Sequence, residues 1–349
     1  MAVKNGTKNR RYKPMYKMNP FSFHNIFQKT AGLVLAVFIY VPASSQVKWQ
    51  NADANFGTLP AGFHVYRTQD SLDGKPFIAY YAEASLKDES LVFGTDTTYK
   101  RRLTPAQFYN RNDSPLLVVN CSFFSFETKQ NLNVIIDKGQ MLAYNVHSLP
   151  MRGKDTFQYR HPLGSAIGIS KKRKADIAWL YTDSSVTYPY ALQHASPAAK
   201  DSVAGYSYRK AGRSTKNAGR LQKWKMQTAV GGGPVLVQSG KILVTNEEEL
   251  KFTGKALADK HPRTAMGYTN DGRLIILVIQ GRFPGIAEGA TLHQTAYLLM
   301  ELGCTEALNL DGGGSSCLLI NSKETIKPSG EGKQRPVPAV FMVSDKRGQ

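Results

Sequence analysis

Cysteine is scarce. The three in 349 residues, Cys121, Cys304 and Cys317, are too few and too scattered for a disulfide framework or a zinc site. Only Cys304 and Cys317 lie close in sequence, and the strand and glycine turn expected between them should carry the two apart, so all three read as buried small hydrophobes. Long apolar runs are also missing. Ala31–Val41 has eleven residues, short of what crosses a bilayer as a helix. It follows a lead of 30 residues with seven Lys or Arg and no acid, and it precedes the small residues Ala43-Ser-Ser45. That order predicts an export signal over residues 1–45, cleaved before Gln46. No cysteine follows closely, so lipid attachment is not indicated. Internal repeats and coiled-coil heptads are absent as well.

Acids are outnumbered. The chain has 45 Lys and Arg against 26 Asp and Glu, a net charge of +19, which falls to +12 once the seven cations of residues 1–45 are removed. Much of the surplus lies between Arg152 and Lys225, with fifteen cations against four acids. The cluster Lys171–Lys174 is expected at the solvated tip of a hairpin joining Ala166–Ser170 to Ile177–Tyr181, with steering of an anionic polymer as the functional alternative. No helix-turn-helix, zinc-finger or RNA-binding signature accompanies the charge, so nucleic acid is not the expected partner.

The most informative stretch is Ala307-Leu-Asn-Leu-Asp311-Gly-Gly-Gly-Ser-Ser316. It sets one carboxylate at the end of an apolar run, before three glycines that permit positive φ and close approach of a ligand to the main chain. Successive N–H groups of Gly312, Gly313 and Gly314 would form an anion-binding concavity. A second cluster, Gly231-Gly-Gly-Pro234, follows the run 226–230. Between them comes His261-Pro-Arg263-Thr-Ala, which opens a hairpin through Asn270-Asp-Gly272 and ends at Gly281-Arg282. Glu288-Gly-Ala-Thr291 then leads into a helix with apolar residues at 292, 296, 299 and 302, Thr291 as its N-cap and Gly303 as its stop.

Upstream, strands are expected at 77–84, 91–94 and 116–124, a short helix at 104–109, and a hairpin of 132–136 with 141–145. Residues 46–75 read as an extended arm or an extra edge strand, and 188–220 as a long loop. The fold expected is α+β, with a mixed, largely antiparallel β-sheet core and few helices.

In this order, Gly-Gly-Gly-Pro, His-Pro-Arg-Thr-Ala, Gly-Arg, Gly-x-Thr-Leu before a helix, and Leu-Asn-Leu-Asp-Gly-Gly-Gly-Ser-Ser, the chain resembles the phosphodiester glycosidase family. The resemblance runs over about 115–343, from Asn120-Cys-Ser-Phe-Phe124, where Cys121 replaces a usual glycine, to Gln334-Arg335-Pro-Val-Pro. It implies three segments: a signal at 1–45, a strand-rich extension at 46–110 and a catalytic domain at 111–345. It also implies hydrolysis of a sugar-1-phosphodiester in a glycan or exopolysaccharide.

Such a reaction needs cations and N–H donors around phosphate, a carboxylate near the anomeric carbon and an activated water. Asp311 is the first candidate carboxylate and Glu288 the second, His261 is a candidate proton carrier, and Arg263 and Arg282 are candidate phosphate clamps. The resemblance adds Asn120, Gly232, Gly233, Ser315 and Arg335 to the substrate-binding set. Each has a plainer alternative. Glu288 could serve the helix dipole, His261 could shape its loop, Arg263 could pair with a buried acid, and Arg335 could cap the last strand.

No cofactor is expected, since no His/Asp/Glu cluster has transition-metal spacing, although one divalent ion held by carboxylate, carbonyls and phosphate stays open. The expected partner is a phosphorylated glycan, the membrane is met only through the leader, and the chain is expected to be a monomer. Two other classes remain open: a non-catalytic surface glycan-binding protein using the chain's seventeen tyrosines, and a metal-dependent phosphodiesterase.

Overall fold

The strand Arg273–Ile279 explains the architecture around it. Leu274, Ile276 and Val278 point into one core cluster and Ile275, Leu277 and Ile279 into another, so the strand is covered on both faces and reads as an unbroken apolar run. It sits near the middle of an eight-stranded sheet ordered 50–51, 63–68, 79–85, 273–279, 263–269, 304–309, 235–238 and 241–242. A seven-stranded sheet centres on Ala175–Tyr181, Gly164–Ile169 and Thr228–Gly231, and a five-stranded sheet on Leu117–Asn120 and Ala339–Asp345. The computed structural model describes residues 47–214 and 219–348, so the expected leader at 1–45 lies outside the described residues.

The three sheets share one core. Phe63 and Met266 from the first, Trp179 and Ile167 from the second, and Val119 and Phe341 from the third belong to a single buried cluster. The helix Leu292–Glu301 covers the other face of the eight-stranded sheet through Leu292, Ala296 and Leu299. Thr291 caps it as expected, with Gln294 returning the bond to complete a capping box. The helix Pro105–Arg111, capped by Thr104, covers the five-stranded sheet through Phe108. The α+β fold is as the sequence implies; its sheets are antiparallel in every pair among the described residues rather than mixed.

Several local expectations change. Residues 63–68 form an inner strand, with only the short strand Gln50–Asn51 outside it. The strand expected at 116–124 ends at Asn120, because the carbonyl of Cys121 leaves the ladder to accept the Asp311 N–H at 2.8 Å. The presumed loop at 188–220 holds two short strands, 190–192 and 199–201, and the helix Tyr208–Ser214. The hairpin tip at 171–174 is only partly solvated. Arg173 turns back to donate to the carbonyls of Leu86, Asp88 and Leu91 at 2.6–3.0 Å and lies over the Phe93 ring. All three cysteines are free and buried, as expected, and burial pushes each thiol upward.

Candidate active site

The antiparallel register brings the motifs together. Ala265 pairs with Asn309, and Arg263 with Ile279, so the start of one strand meets the ends of its two neighbours at a single edge of the eight-stranded sheet. Arg263, Arg282 and Asp311 therefore share that edge although they span almost 50 residues of chain. The end of Leu117–Asn120 joins them from the five-stranded sheet. Fully buried Asn120 donates from Nδ2 to the Asp311 carbonyl at 2.5 Å, while its Oδ1 accepts from the Thr264 hydroxyl and the Cys317 N–H, both at 3.0 Å. Asn120 thus ties two sheets together directly behind the candidate carboxylate.

Asp311 has an oxygen, Oδ2, that is sealed from solvent and has no hydrogen-bond partner. Removing a carboxylate from water disfavours its charge, and burial pushes Asp311 up to about 7 against the opposing pull of the Ser315 hydroxyl, Arg335 and the Gly312 N–H. Arginines surround it. Arg263 is 3% exposed, donating to the carbonyls of Ala290 at 2.9 Å and Asp259 at 3.1 Å, with its guanidinium over Phe252. Desolvation and the nearby Arg282 charge bring it down to about 10. Arg335 donates to the Ser315 hydroxyl at 3.3 Å. Neither these two nor Arg282 has a carboxylate partner among the described residues. A buried cation without a counter-charge is costly unless an anion joins it.

The glycine triplet serves these arginines more than it serves a ligand. Gly313 donates its N–H to the Pro262 carbonyl at 2.8 Å, and 313–315 winds into a single 3-10 turn, so the expected open nest of three amides is not formed. A side chain on Gly313 would come within 3.0 Å of Arg282 Nη2, and one on Gly314 would overlap the Arg335 guanidinium. The missing Cβ atoms let two guanidiniums lie against the backbone beside Asp311.

Other expected members separate. His261 does enter the site: its Nδ1 is buried without a partner, and desolvation together with Arg263 and Arg282 holds it below the usual histidine range. Glu288 turns to Lys260, Nζ to Oε2 at 3.9 Å, and makes no contact with Asp311 among the described residues. Gly232 and Gly233 have their polar groups engaged within the protein: Gly232 with Ser165 and Asn133, Gly233 with both ends of Asn309. They position the strand that carries Asp311 instead of facing a substrate. Thr264, Phe252, Phe126 and Arg102 belong to the site region but were not legible. Thr264 hides inside the His-Pro-Arg-Thr motif, and the other three have no periodic or motif signal. Among the described residues no group of three or more His, Cys, Asp and Glu is arranged around a metal position.

Fold and site together define a β-rich domain that holds a carboxyl with one sealed oxygen beside three arginines that have no carboxylate partner among the described residues. Residues 180–344, just under half of the chain, match the model of the phosphodiester glycosidase family. Of the site residues named from the sequence, that span includes all except Asn120. Among curated proteins, the chain is 36% identical over 85 residues to the SPbeta prophage-derived uncharacterized protein YomE of Bacillus subtilis (strain 168), covering 24% of this chain and 13% of that protein. It is 29% identical over 102 residues to Bos taurus N-acetylglucosamine-1-phosphodiester alpha-N-acetylglucosaminidase, covering 27% and 19% respectively. The chain thus matches less than a fifth of the length of either relative. Among solved structures, the catalytic domain of zebrafish N-acetylglucosamine-1-phosphodiester alpha-N-acetylglucosaminidase, auto-inhibited by its pro-peptide, superposes with a TM-score of 0.54 at 17% identity over 86% of this chain and 88% of that one. A hypothetical protein from Synechocystis gives 0.54 at 14% identity over 85% and 68%. At these identities the likeness is one of fold.

Proposed function

We propose that this chain is an exported hydrolase that cleaves a sugar-1-phosphodiester bond, with Asp311 as its proton-exchanging carboxyl and Arg263 and Arg282 as the phosphate-binding pair. The observation that carries the reading is Arg263, a buried guanidinium with no acidic partner among the described residues, next to Arg282 and at the same sheet edge as Asp311. A phosphodiester supplies the missing negative charge and suits the planar donors of arginine. Water adds to the anomeric carbon, the bond from that carbon to the phosphate oxygen breaks, and the phosphomonoester departs with the electron pair. Asp311, poised near 7, exchanges a proton with water or leaving group at neutral pH. His261, held neutral between two arginines, is the second group able to carry a proton. Glu288, whose side chain meets Lys260 at 3.9 Å and whose carbonyl accepts the Arg282 N–H at 3.5 Å, is the second carboxylate candidate.

The test is release of reducing sugar from an α-linked sugar-1-phosphodiester, run in heavy-oxygen water. Label in the sugar identifies cleavage of the carbon–oxygen bond, whereas label in phosphate points to a phosphodiesterase. Asp311→Asn is expected to fold and to lose at least about two orders of magnitude in rate. Near wild-type turnover by that variant would remove Asp311 from the chemistry. Binding of glycan with no release of sugar by the wild type would favour the non-catalytic alternative, and loss of activity with chelator the metal-dependent one.

A further inference from the structure

One aromatic ring beside the site is shared by two arginines. Phe126 is 64% exposed, and the guanidinium carbons of Arg335 and Arg102 lie 5.5 and 5.7 Å from its centroid. Arg102 also lies 5.4 Å from the ring of Phe124, which packs 4.9 Å from Phe126. Neither arginine has a carboxylate partner among the described residues; the neighbouring Glu127 is exposed and forms no ion pair. Two unpaired cations on one solvent-facing ring repel each other and gain from an anion between them.

The backbone beneath this trio is built. Leu103 and Val337 exchange main-chain bonds at 3.0 and 2.8 Å, which fixes the segments bearing Arg102 and Arg335 side by side. Phe126 rides on a closed turn in which Ser125 bonds to Gln130 at 3.0 Å and Lys129 to Ser125 at 2.9 Å, next to the bridge between Phe124 and Asn131. Arg335 in turn reaches Ser315, four residues past Asp311. The row therefore continues outward from the candidate carboxyl: Arg282 and Arg335 over the glycine turn, then Phe126, then Arg102.

Resting on the phosphodiester reading, we infer that Arg102, Phe126 and Arg335 form a second anion subsite, and that the substrate is a phosphodiester-linked polymer rather than a single diester. The ring offers a stacking face to the next sugar, and the two guanidiniums hold the next phosphate along the chain. One anion would be satisfied by Arg263 and Arg282 alone. The additional pair has no work to do unless the substrate repeats its charge.

The experiment compares wild type and Arg102→Ala on two substrates with the same sugar, a methyl sugar-1-phosphodiester and a poly(sugar-1-phosphate), and pairs kinetics with titration of orthophosphate and tripolyphosphate. Wild type is expected to favour the polymer in kcat/KM, and tripolyphosphate over orthophosphate in Kd, by about tenfold or more, the scale of one partly desolvated ion contact. Arg102→Ala should lose at least about five times more on the polymer and on tripolyphosphate than on their single-phosphate counterparts, and Phe126→Ala should share the polymer defect. Equal treatment of both substrates and both ions by the wild type, or equal losses in the variant, overturns the subsite. If the wild type hydrolyses neither substrate yet keeps the Arg102-dependent preference for tripolyphosphate, the subsite stands and the hydrolytic reading falls.

Discussion

Asp311 couples stability to the same property that suits it for proton transfer. Its folded-state value near 7 lies above the ordinary carboxyl range, so folding favours the protonated form. The resulting stabilisation is complete below about pH 4 and is lost as pH rises through about 7. Asp311→Asn keeps the shape and never ionises. Its Tm relative to the wild type is expected to rise by about 2 °C or more between pH 5 and pH 8, in paired thermal melts. A variant less stable at pH 8 than at pH 5, relative to wild type, would mean that Asp311 is ionised and well satisfied in the fold. Arg282 offers a cleaner residue-scale test than Arg263, because it is exposed and its side chain makes no hydrogen bond or ion pair among the described residues. Arg282→Ala should leave Tm unchanged, and it should lower kcat/KM for a sugar-1-phosphodiester about tenfold more than for a neutral aryl glycoside. Equal losses on the two substrates would argue for a structural role.

At the scale of elements, the turn after Asp311 is where sequence and structure differ most usefully. Three consecutive glycines read as an open amide nest, yet only a ligand-free main chain could offer one, and Gly313 is already bonded to Pro262. Their small size instead gives room for arginine. Gly314 has no positive φ, so alanine fits its backbone, but the new methyl group occupies the place of the Arg335 guanidinium. Gly314→Ala should therefore keep a near wild-type Tm while lowering activity by roughly tenfold to a hundredfold, because displacing a flexible side chain costs less fold than function. A fall in Tm of the size seen for core lesions would show instead that the turn itself cannot bear the methyl.

For the whole molecule, export is the property that needs its own measurement. The basic, acid-free lead and the eleven-residue apolar run predict that native protein begins near Gln46, and mass spectrometry of material from the producing cells should find residues 1–45 gone. A mature mass that includes them would replace cleavage with anchoring. The three buried free thiols suit either side of a membrane, since none is placed to form a bridge.

Sequence alone determined the central hairpin, the capped helix after it and the candidate chemistry, but not the elements within 188–220. The turn Asn270-Asp-Gly272 and the apolar run 274–279 marked the central hairpin, Thr291 and Gly303 bounded the helix, and ordered motifs nominated Asp311, Arg263 and Arg282. These are local signals, written by backbone geometry within a few residues. Tertiary structure alone decided which candidates meet. Antiparallel register brought Arg263 and Asp311 to one edge and Asn120 behind them, while Glu288 turned to Lys260 and the amides of Gly232 and Gly233 were taken up inside the protein. The raised carboxyl of Asp311 and the unpaired Arg263 also arise there, since burial and the absence of a counter-charge are properties of the packed surroundings, and no spacing along a chain encodes them.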